Sequence, residues 1–212
     1  IPEFRLSKEI VKNVIDNIID LGIDVKYNKE LGKNLNLQEL KNTHDAIFLS
    51  IGANISNNMN VQGEELTGVY GGNELLEKDL NIDYNNKIVA IIGGGDVAID
   101  VARTAIRNGA KKSIIVYRRS DKEMPANIEE IEAAKKDGVE FLFQTNIVEI
   151  LVNKQVEKIE VIKTKMVKKE NDTRLSPVNI DGSNYFIECD YVVKAIGSHP
   201  DNVVASLGLG QD

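Results

Sequence analysis

Cysteine is nearly absent from this chain: Cys189 stands alone among 212 residues, beside two histidines, four prolines and no tryptophan. One thiol cannot close a disulfide within the chain, nor can it supply the set of thiolates that holds an iron–sulfur cluster. Such cysteine usage fits a reducing compartment, so a cytoplasmic location is expected. Cys189 lies in the alternating segment YFIECDYVV, which reads as a place for a packed structural thiol rather than a nucleophile or redox centre. His44 and His199 are far apart and neither has metal-ligand spacing, so no metal site and no catalytic histidine are expected. No apolar run is long enough to span a bilayer and no signal peptide opens the chain, so no membrane partner is expected. A formal net charge of −7 argues against nucleic acid as a general partner, since a phosphate backbone calls for a basic face. No internal repeat suggests a solenoid.

What is present centres on Lys87 to Tyr117, KIVAIIGGGDVAIDVARTAIRNGAKKSIIVY, followed at once by Arg118 and Arg119. An apolar run, Ile88 to Ile92, breaks into Gly93, Gly94 and Gly95 and then into helical periodicity at Val97, Val101, Ala102, Ala105 and Ile106. Asn108 and Gly109 close the helix, and Ser113 to Tyr117 forms a second apolar run. The whole reads as strand, crossover helix and parallel strand, the dinucleotide-binding unit of a Rossmann-like α/β fold. In the G-x-G-x-x-A pattern, Gly93 permits a sharp turn out of the strand. Gly95 keeps side-chain atoms away from a pyrophosphate, and Ala98 lets the helix pack closely on the sheet. Unpaired N–H groups at the helix start would face the phosphates. Asp96 reads as an N-cap, although its charge would oppose a pyrophosphate placed too near. An acidic residue at the end of the second strand would point to NAD, whereas arginine points to the 2′-phosphate of NADP. Arg118 and Arg119 therefore favour NADP(H). The plainer alternative is a solvated loop partly neutralised by Asp121 and Glu123.

Elsewhere the chain alternates helix and strand before its pattern changes. Residues 1–4 open on Ile-Pro without an initiator Met and read as the middle of a longer chain. Helical spacing runs from Leu6 to Leu21 and stops at Gly22; Asp24 to Tyr27 suggests a short strand. A short helix is expected over Leu37 to Asn42, capped by Asn36, and a buried strand over Asp45 to Ile51. The asparagine-rich passage Asn54 to Asn60 reads as a linker or exposed loop. Further helices are expected at Glu74 to Leu80 and Pro125 to Lys136, with a third parallel strand at Phe141 to Phe143. From Ile147 to Ile196 the period becomes two, the mark of an antiparallel meander, with Lys169 to Arg174 as its exposed hairpin loop.

Five segments, IPEFRLSKEIV, HDAIFLSIGAN, VAIIGGGDVAIDVARTAIRNGA, VYRRSDKEMPA and YVVKAIGSHPDN, together resemble the small subunit of NADPH-dependent glutamate synthase and its relatives. Those relatives include the flavin subunit of bifurcating ferredoxin:NADP oxidoreductases and the flavin region of dihydropyrimidine dehydrogenase. The resemblance runs over nearly the whole chain, and VYRR followed by KEMPA is its specific part. It implies an NAD(P)-binding domain inserted into an FAD domain, in a flavoprotein with two dinucleotide-binding domains. Residues 1–53 would be a partial FAD-domain segment with a crossing strand at Ile47 to Ala53. Residues 54–190 would be the NADPH-binding domain, and 191–212 the return crossing, Val192 to Gly197, with the start of the closing FAD-domain segment. The implied coenzyme-binding residues are Gly93, Gly94, Gly95, Asp96, Val97, Ala98, Asp100, Arg118, Arg119, Ala195 and Gly197, Asp100 matching an acidic helix position near the nicotinamide.

The resemblance also implies hydride transfer from NADPH to FAD and electron flow to iron–sulfur clusters held outside this chain. The partners would be the missing FAD domain and a glutamate synthase large subunit or another electron acceptor. No second glycine-rich turn exists to seat a flavin, so the chain is expected to bind NADP(H) and catalyse nothing alone. The helix at Leu6 to Leu21 would lack the sheet it packs on. It would then cover the inserted domain, or the chain would form a homodimer that buries it. A regulatory NADP(H) sensor that passes no electrons is the alternative. A self-contained dehydrogenase is disfavoured, since no Tyr–Lys pair at helical spacing and no histidine placed with a carboxylate follows the motif.

Overall fold

A computed structural model describes residues 1–78, 80–152, 156–168 and 175–203. The chain forms two compact units, Ile1–Ile55 with the segment from His199 onward, and Ser56–Ser198.

The first unit carries two capped helices. In α1 (Lys8–Ile19) the Ser7 side chain accepts the Glu9 N–H at 3.2 Å, and in α2 (Leu37–Thr43) the Asn36 side chain accepts the Gln38 N–H at 2.7 Å. Both caps satisfy donors that a helix start leaves without partners. The apolar stripe of α1 is nevertheless uncovered, with Ile10, Val14 and Ile18 all exposed and no residue of the helix buried. Two expected strands do not form here: 24–27 and 45–51 carry no strand pairing, and Phe48 is 91% exposed. An apolar segment makes a strand only where a neighbouring strand takes up its N–H and C=O groups, and none of the described residues does so.

The second unit is layered. Its parallel sheet contains β2 (Val69–Gly71), β3 (Ile88–Ile92), β4 (Lys112–Tyr117), β5 (Glu140–Phe143) and β10 (Tyr191–Lys194), in the order β2-β10-β3-β4-β5. Helices α3 (Gly72–Glu77), α4 (Asp96–Arg107) and α5 (Ile128–Lys136) alternate with its strands. An antiparallel sheet follows, in which β7 (Val156–Val167) pairs with β6 (Thr145–Val152), β8 (Ser176–Asn179) and β9 (Tyr185–Glu188). Two-residue strands β1 (Ile55–Ser56) and β11 (Ser198–His199) pair where the chain passes between units. The α/β architecture expected from the sequence is therefore present, parallel sheet and antiparallel meander included.

Strand alternation builds the core. Val89, Ile91, Ile115 and Val193 pack with Ala98, Ile99, Val101 and Ala105 of α4, whereas Ala90, Ile92, Ile114, Val116 and Val192 pack with Ile147, Ile150, Ile159 and Val161 of the antiparallel layer. A strand covered on both faces reads as a continuous apolar run, as IVAII does. Helices α4 and α5 are braced by ions: Arg103 bonds Glu130 and Asp137, and Arg107 also bonds Asp137. Burial raises the Asp137 carboxyl, but hydrogen bonds and charge from Arg107 and Arg103 outweigh it and hold the group below its ordinary value.

Several expected boundaries shift. The helix expected at Glu74–Leu80 runs Gly72–Glu77, and the one expected from Pro125 starts at Ile128, where Asn127 caps it by accepting the Glu129 N–H at 2.9 Å. Tyr191–Lys194, expected as antiparallel ribbon and as the return crossing, pairs in parallel with both β2 and β3. This strand lies inside the Ser56–Ser198 unit. Its apolar residues Tyr191 to Val193 are consecutive, with Val192 and Val193 both buried, and only the register shows which strands receive it. The expected hairpin loop at Lys169–Arg174 lies outside the described residues.

Candidate functional site

The carboxyl ends of β3, β4, β5 and β10 point the same way, which is where open α/β sheets bind ligands. A cleft of about 550 Å³ opens there, lined by Met59, Ile92, Gly93 to Gly95, Val116 to Arg119, Pro125, Thr145 to Ile147 and Ala195 to Gly197. All of these residues belong to the second unit.

The three glycines differ in what they permit. Gly93 has φ +141°, and a Cβ there would stand 2.0 Å from the Ala195 carbonyl oxygen, so β10 can end against the turn only if the side chain is missing. At Gly94 a Cβ would come within 2.6 Å of the Tyr117 ring. Gly95 is otherwise: its backbone is extended, and a Cβ would meet nothing within 4 Å. Neither conformation nor packing requires glycine at that position, and the open space beside it faces the start of α4.

Gly95, not Asp96, is the N-cap of α4, and it makes no side-chain capping bond. The first intrahelical bond runs from the Ile99 N–H to the Gly95 carbonyl at 3.2 Å, leaving the N–H groups of Asp96, Val97 and Ala98 without intrahelical acceptors. Asp96 is the first helical residue, and its Oδ1 accepts the Asn127 N–H at 3.1 Å. The carboxylate is thus engaged with the start of α5 instead of capping its own helix. A helix start whose first N–H groups have no intrahelical acceptors, with the positive end of the dipole behind them, suits an anion.

The segment after β4 is pinned at many points. Tyr117 donates its hydroxyl to the Glu123 carbonyl at 2.7 Å, and the Ala126 N–H bonds the Gly94 carbonyl at 3.2 Å. Ser120 and Glu123 form a capping box, so the Glu123 carboxylate is occupied by Ser120. Arg118 is exposed and forms no hydrogen bond or ion pair from its side chain among the described residues. Arg119 is half-buried and donates from Nη1 to the Leu175 carbonyl at 3.2 Å. Among the described residues neither arginine pairs with Asp121 or Glu123, so the neutralised-loop alternative finds no support.

The structure brings Gly93, Gly94, Gly95, Arg118, Arg119, Ala195 and Gly197 into one cleft lining. Val97 and Ala98 stand behind it in the first turn of α4, where Ala98 is fully buried against the sheet. Asp100 is 4% exposed and lies outside the lining. Met59, Tyr117, Pro125, Thr145, Asn146 and Ile147 were not anticipated. A signal existed for three of them: Thr145 to Ile147 follow closely on the third parallel strand, at the same carboxyl edge.

Cys189 is 4% exposed between the two sheets, and burial, with the neighbouring Asp190 carboxylate, pushes its thiol up to about 12. It stays a neutral packing group, as its alternating segment suggested. Among the described residues no cluster of His, Cys, Asp or Glu could hold a metal, and no helix is long and apolar enough to cross a membrane.

A parallel sheet with a side-chain-free bend into a helix, and arginines at the end of the next strand, defines a dinucleotide-binding α/β unit. The chain belongs to the pyridine nucleotide-disulphide oxidoreductase family, whose pattern matches residues 4–212. It is 37% identical to the NADPH-Fe(3+) oxidoreductase subunit beta of Geobacter sulfurreducens, over 100% of this chain and 33% of that protein. It is 30% identical to the glutamate synthase [NADPH] small chain of Escherichia coli, over 96% of this chain and 46% of that one. The resemblance read from the motifs is thereby borne out, and the chain spans between a third and a half of these relatives. Among solved structures, Mycobacterium tuberculosis FprA in complex with NADPH superposes with a TM-score of 0.75 at 18% identity, covering 89% of this chain and 58% of that one. A thioredoxin reductase from T. acidophilum gives 0.53 at 17% identity, over 70% and 43%. Both likenesses speak for the fold.

Proposed function

We propose that the unit Ser56–Ser198 is the NADPH-binding part of a flavin-dependent oxidoreductase of the glutamate synthase small-subunit type. One observation carries this reading: the open space beside Gly95 and the exposed Arg118 belong to the same cleft. NADPH bears two separated anionic groups, a pyrophosphate and a 2′-phosphate, and the cleft offers a backbone site and a cationic site to match. The N–H groups of Asp96, Val97 and Ala98 would hold the pyrophosphate, and Arg118 with Arg119 the 2′-phosphate. Ala195 and Gly197 complete the lining at the end of β10, while Met59, Ile92, Val116 and Ile147 add apolar surface that excludes water.

When bound, NADPH supplies a hydride. The chain's own residues bind, orient and desolvate; no general acid or base is assigned, because hydride transfer asks for alignment and dryness. In the whole protein the acceptor would be FAD, seated in a domain to which residues 1–55 contribute, with electrons passing on to iron–sulfur clusters. The partner would be a glutamate synthase large subunit or another electron acceptor in the cytoplasm, and these residues alone would bind coenzyme without turnover.

Calorimetric titration tests the reading. NADPH is expected to bind more tightly than NADH, and the Arg118→Ala/Arg119→Ala double variant to lose about 10- to 100-fold for NADPH alone, the worth of one or two charge-assisted hydrogen bonds. An unchanged preference would refute the assignment.

A further inference from the structure

Both main-chain carbonyls of the arginine pair are held by residues that follow β5 in the chain. Thr164, on β7 and 4% exposed, donates its hydroxyl to the Arg118 carbonyl at 2.7 Å, and the Gln144 N–H bonds the Arg119 carbonyl at 2.9 Å. The two anchoring residues are themselves joined: the Thr164 N–H donates to the Gln144 carbonyl at 2.7 Å, and the Gln144 side chain donates to the Thr164 carbonyl at 3.4 Å. Gln144 occupies the left-handed region at φ +49°, which a residue with a side chain adopts at a cost, between β5 and β6. None of these contacts belongs to the strand–turn–helix motif that the sequence announces.

We propose that Thr164 is a positioning residue for coenzyme selectivity, holding the backbone that carries Arg118 and Arg119 so that the main chain there needs no further ordering when the guanidinium groups meet the 2′-phosphate. The proposal rests on the reading that these arginines hold that phosphate. Arg118 and Arg119 have left the sheet after Tyr117, and a loose cationic loop would lose conformational freedom on binding, which weakens affinity. The buried hydroxyl removes that loss beforehand. NADH has no 2′-phosphate and should not sense the anchor. A merely structural hydroxyl would affect both coenzymes alike, or only the melting point.

The test is calorimetry of NADPH and NADH with wild type, Thr164→Val, Thr164→Ala, Thr164→Ser and the Arg118→Ala/Arg119→Ala variant. Thr164→Val and Thr164→Ala are expected to bind NADPH about three- to tenfold more weakly at unchanged NADH affinity, the scale of one lost hydrogen bond. Thr164→Ser keeps the hydroxyl and should restore the wild-type ratio. Equal losses for both coenzymes, an unchanged ratio, or failure of both hydroxyl-free variants to fold would overturn the proposal. If the arginine variant also kept the wild-type ratio, the phosphate assignment itself would fall; if it lost the ratio while Thr164→Val kept it, only the anchor would.

Discussion

Adding one methyl group at Gly93 or at Gly95 should produce opposite consequences two residues apart. At Gly93 the new Cβ would overlap the Ala195 carbonyl at 2.0 Å, and the backbone stands at φ +141°. The strained backbone costs about 1–3 kcal/mol and the overlap about as much again. A total of roughly 2–6 kcal/mol is a large part of the whole stability of a domain, about 5–15 kcal/mol. Gly93→Ala should therefore unfold at much lower urea concentration, or not fold at all. At Gly95 the methyl meets nothing within 4 Å and φ is −90°, so the fold should change by less than about 1 kcal/mol. The same methyl occupies the space where the pyrophosphate would lie, and coenzyme affinity should fall at least about tenfold. Urea denaturation and calorimetric titration of both variants decide the matter. A Gly95→Ala protein that bound NADPH like wild type would refute the placement of the phosphates, and a Gly93→Ala protein as stable as wild type would refute the packing argument.

Two further perturbations probe the core. The Ser113 hydroxyl is fully buried in β4 without a hydrogen-bond partner among the described residues, so Ser113→Ala should raise stability by about 1 kcal/mol in urea denaturation; destabilisation would mean that the hydroxyl has a partner. The Cys189 thiol is pushed up to about 12 from an ordinary value of 9.0, so the unfolded chain loses its proton first. Its contribution is complete below pH 9 and declines as pH rises toward 12. The urea midpoint of wild type should fall more steeply over that window than that of Cys189→Ala, and parallel curves would contradict the burial of the thiol.

The chemistry of the candidate site was legible where it rests on local backbone. The run IVAIIGGGDVAIDVA carries its meaning within fifteen residues, because an apolar strand, a turn free of side chains and an amphipathic helix are each specified by neighbours in sequence. Arg118 and Arg119 were legible for the same reason, standing at a strand end. Asp96 was misread as a cap because Gly95 and Asp96 compete for one position, and Asn127, distant in sequence, takes the carboxylate. Asp45 to Ile51 is largely apolar as a buried strand should be, yet pairing depends on a neighbour that residue order does not name. Thr164 carried no signal at all, since a threonine in a ribbon is ordinary until it is seen beneath the Arg118 carbonyl.

Residue order by itself determined the strand, the side-chain-free bend, the helix behind it and the cationic strand end, because all four are written within contact range along the chain. Tertiary structure alone decided that Tyr191–Lys194 enters the parallel sheet between β2 and β3, that its end closes on Gly93, and that Thr164 of the antiparallel layer holds the Arg118 carbonyl. The physical reason is common to all three. They are pairings between groups 46 to 123 residues apart, and such pairings are chosen by burial and hydrogen-bond satisfaction across the whole unit, which no local pattern encodes.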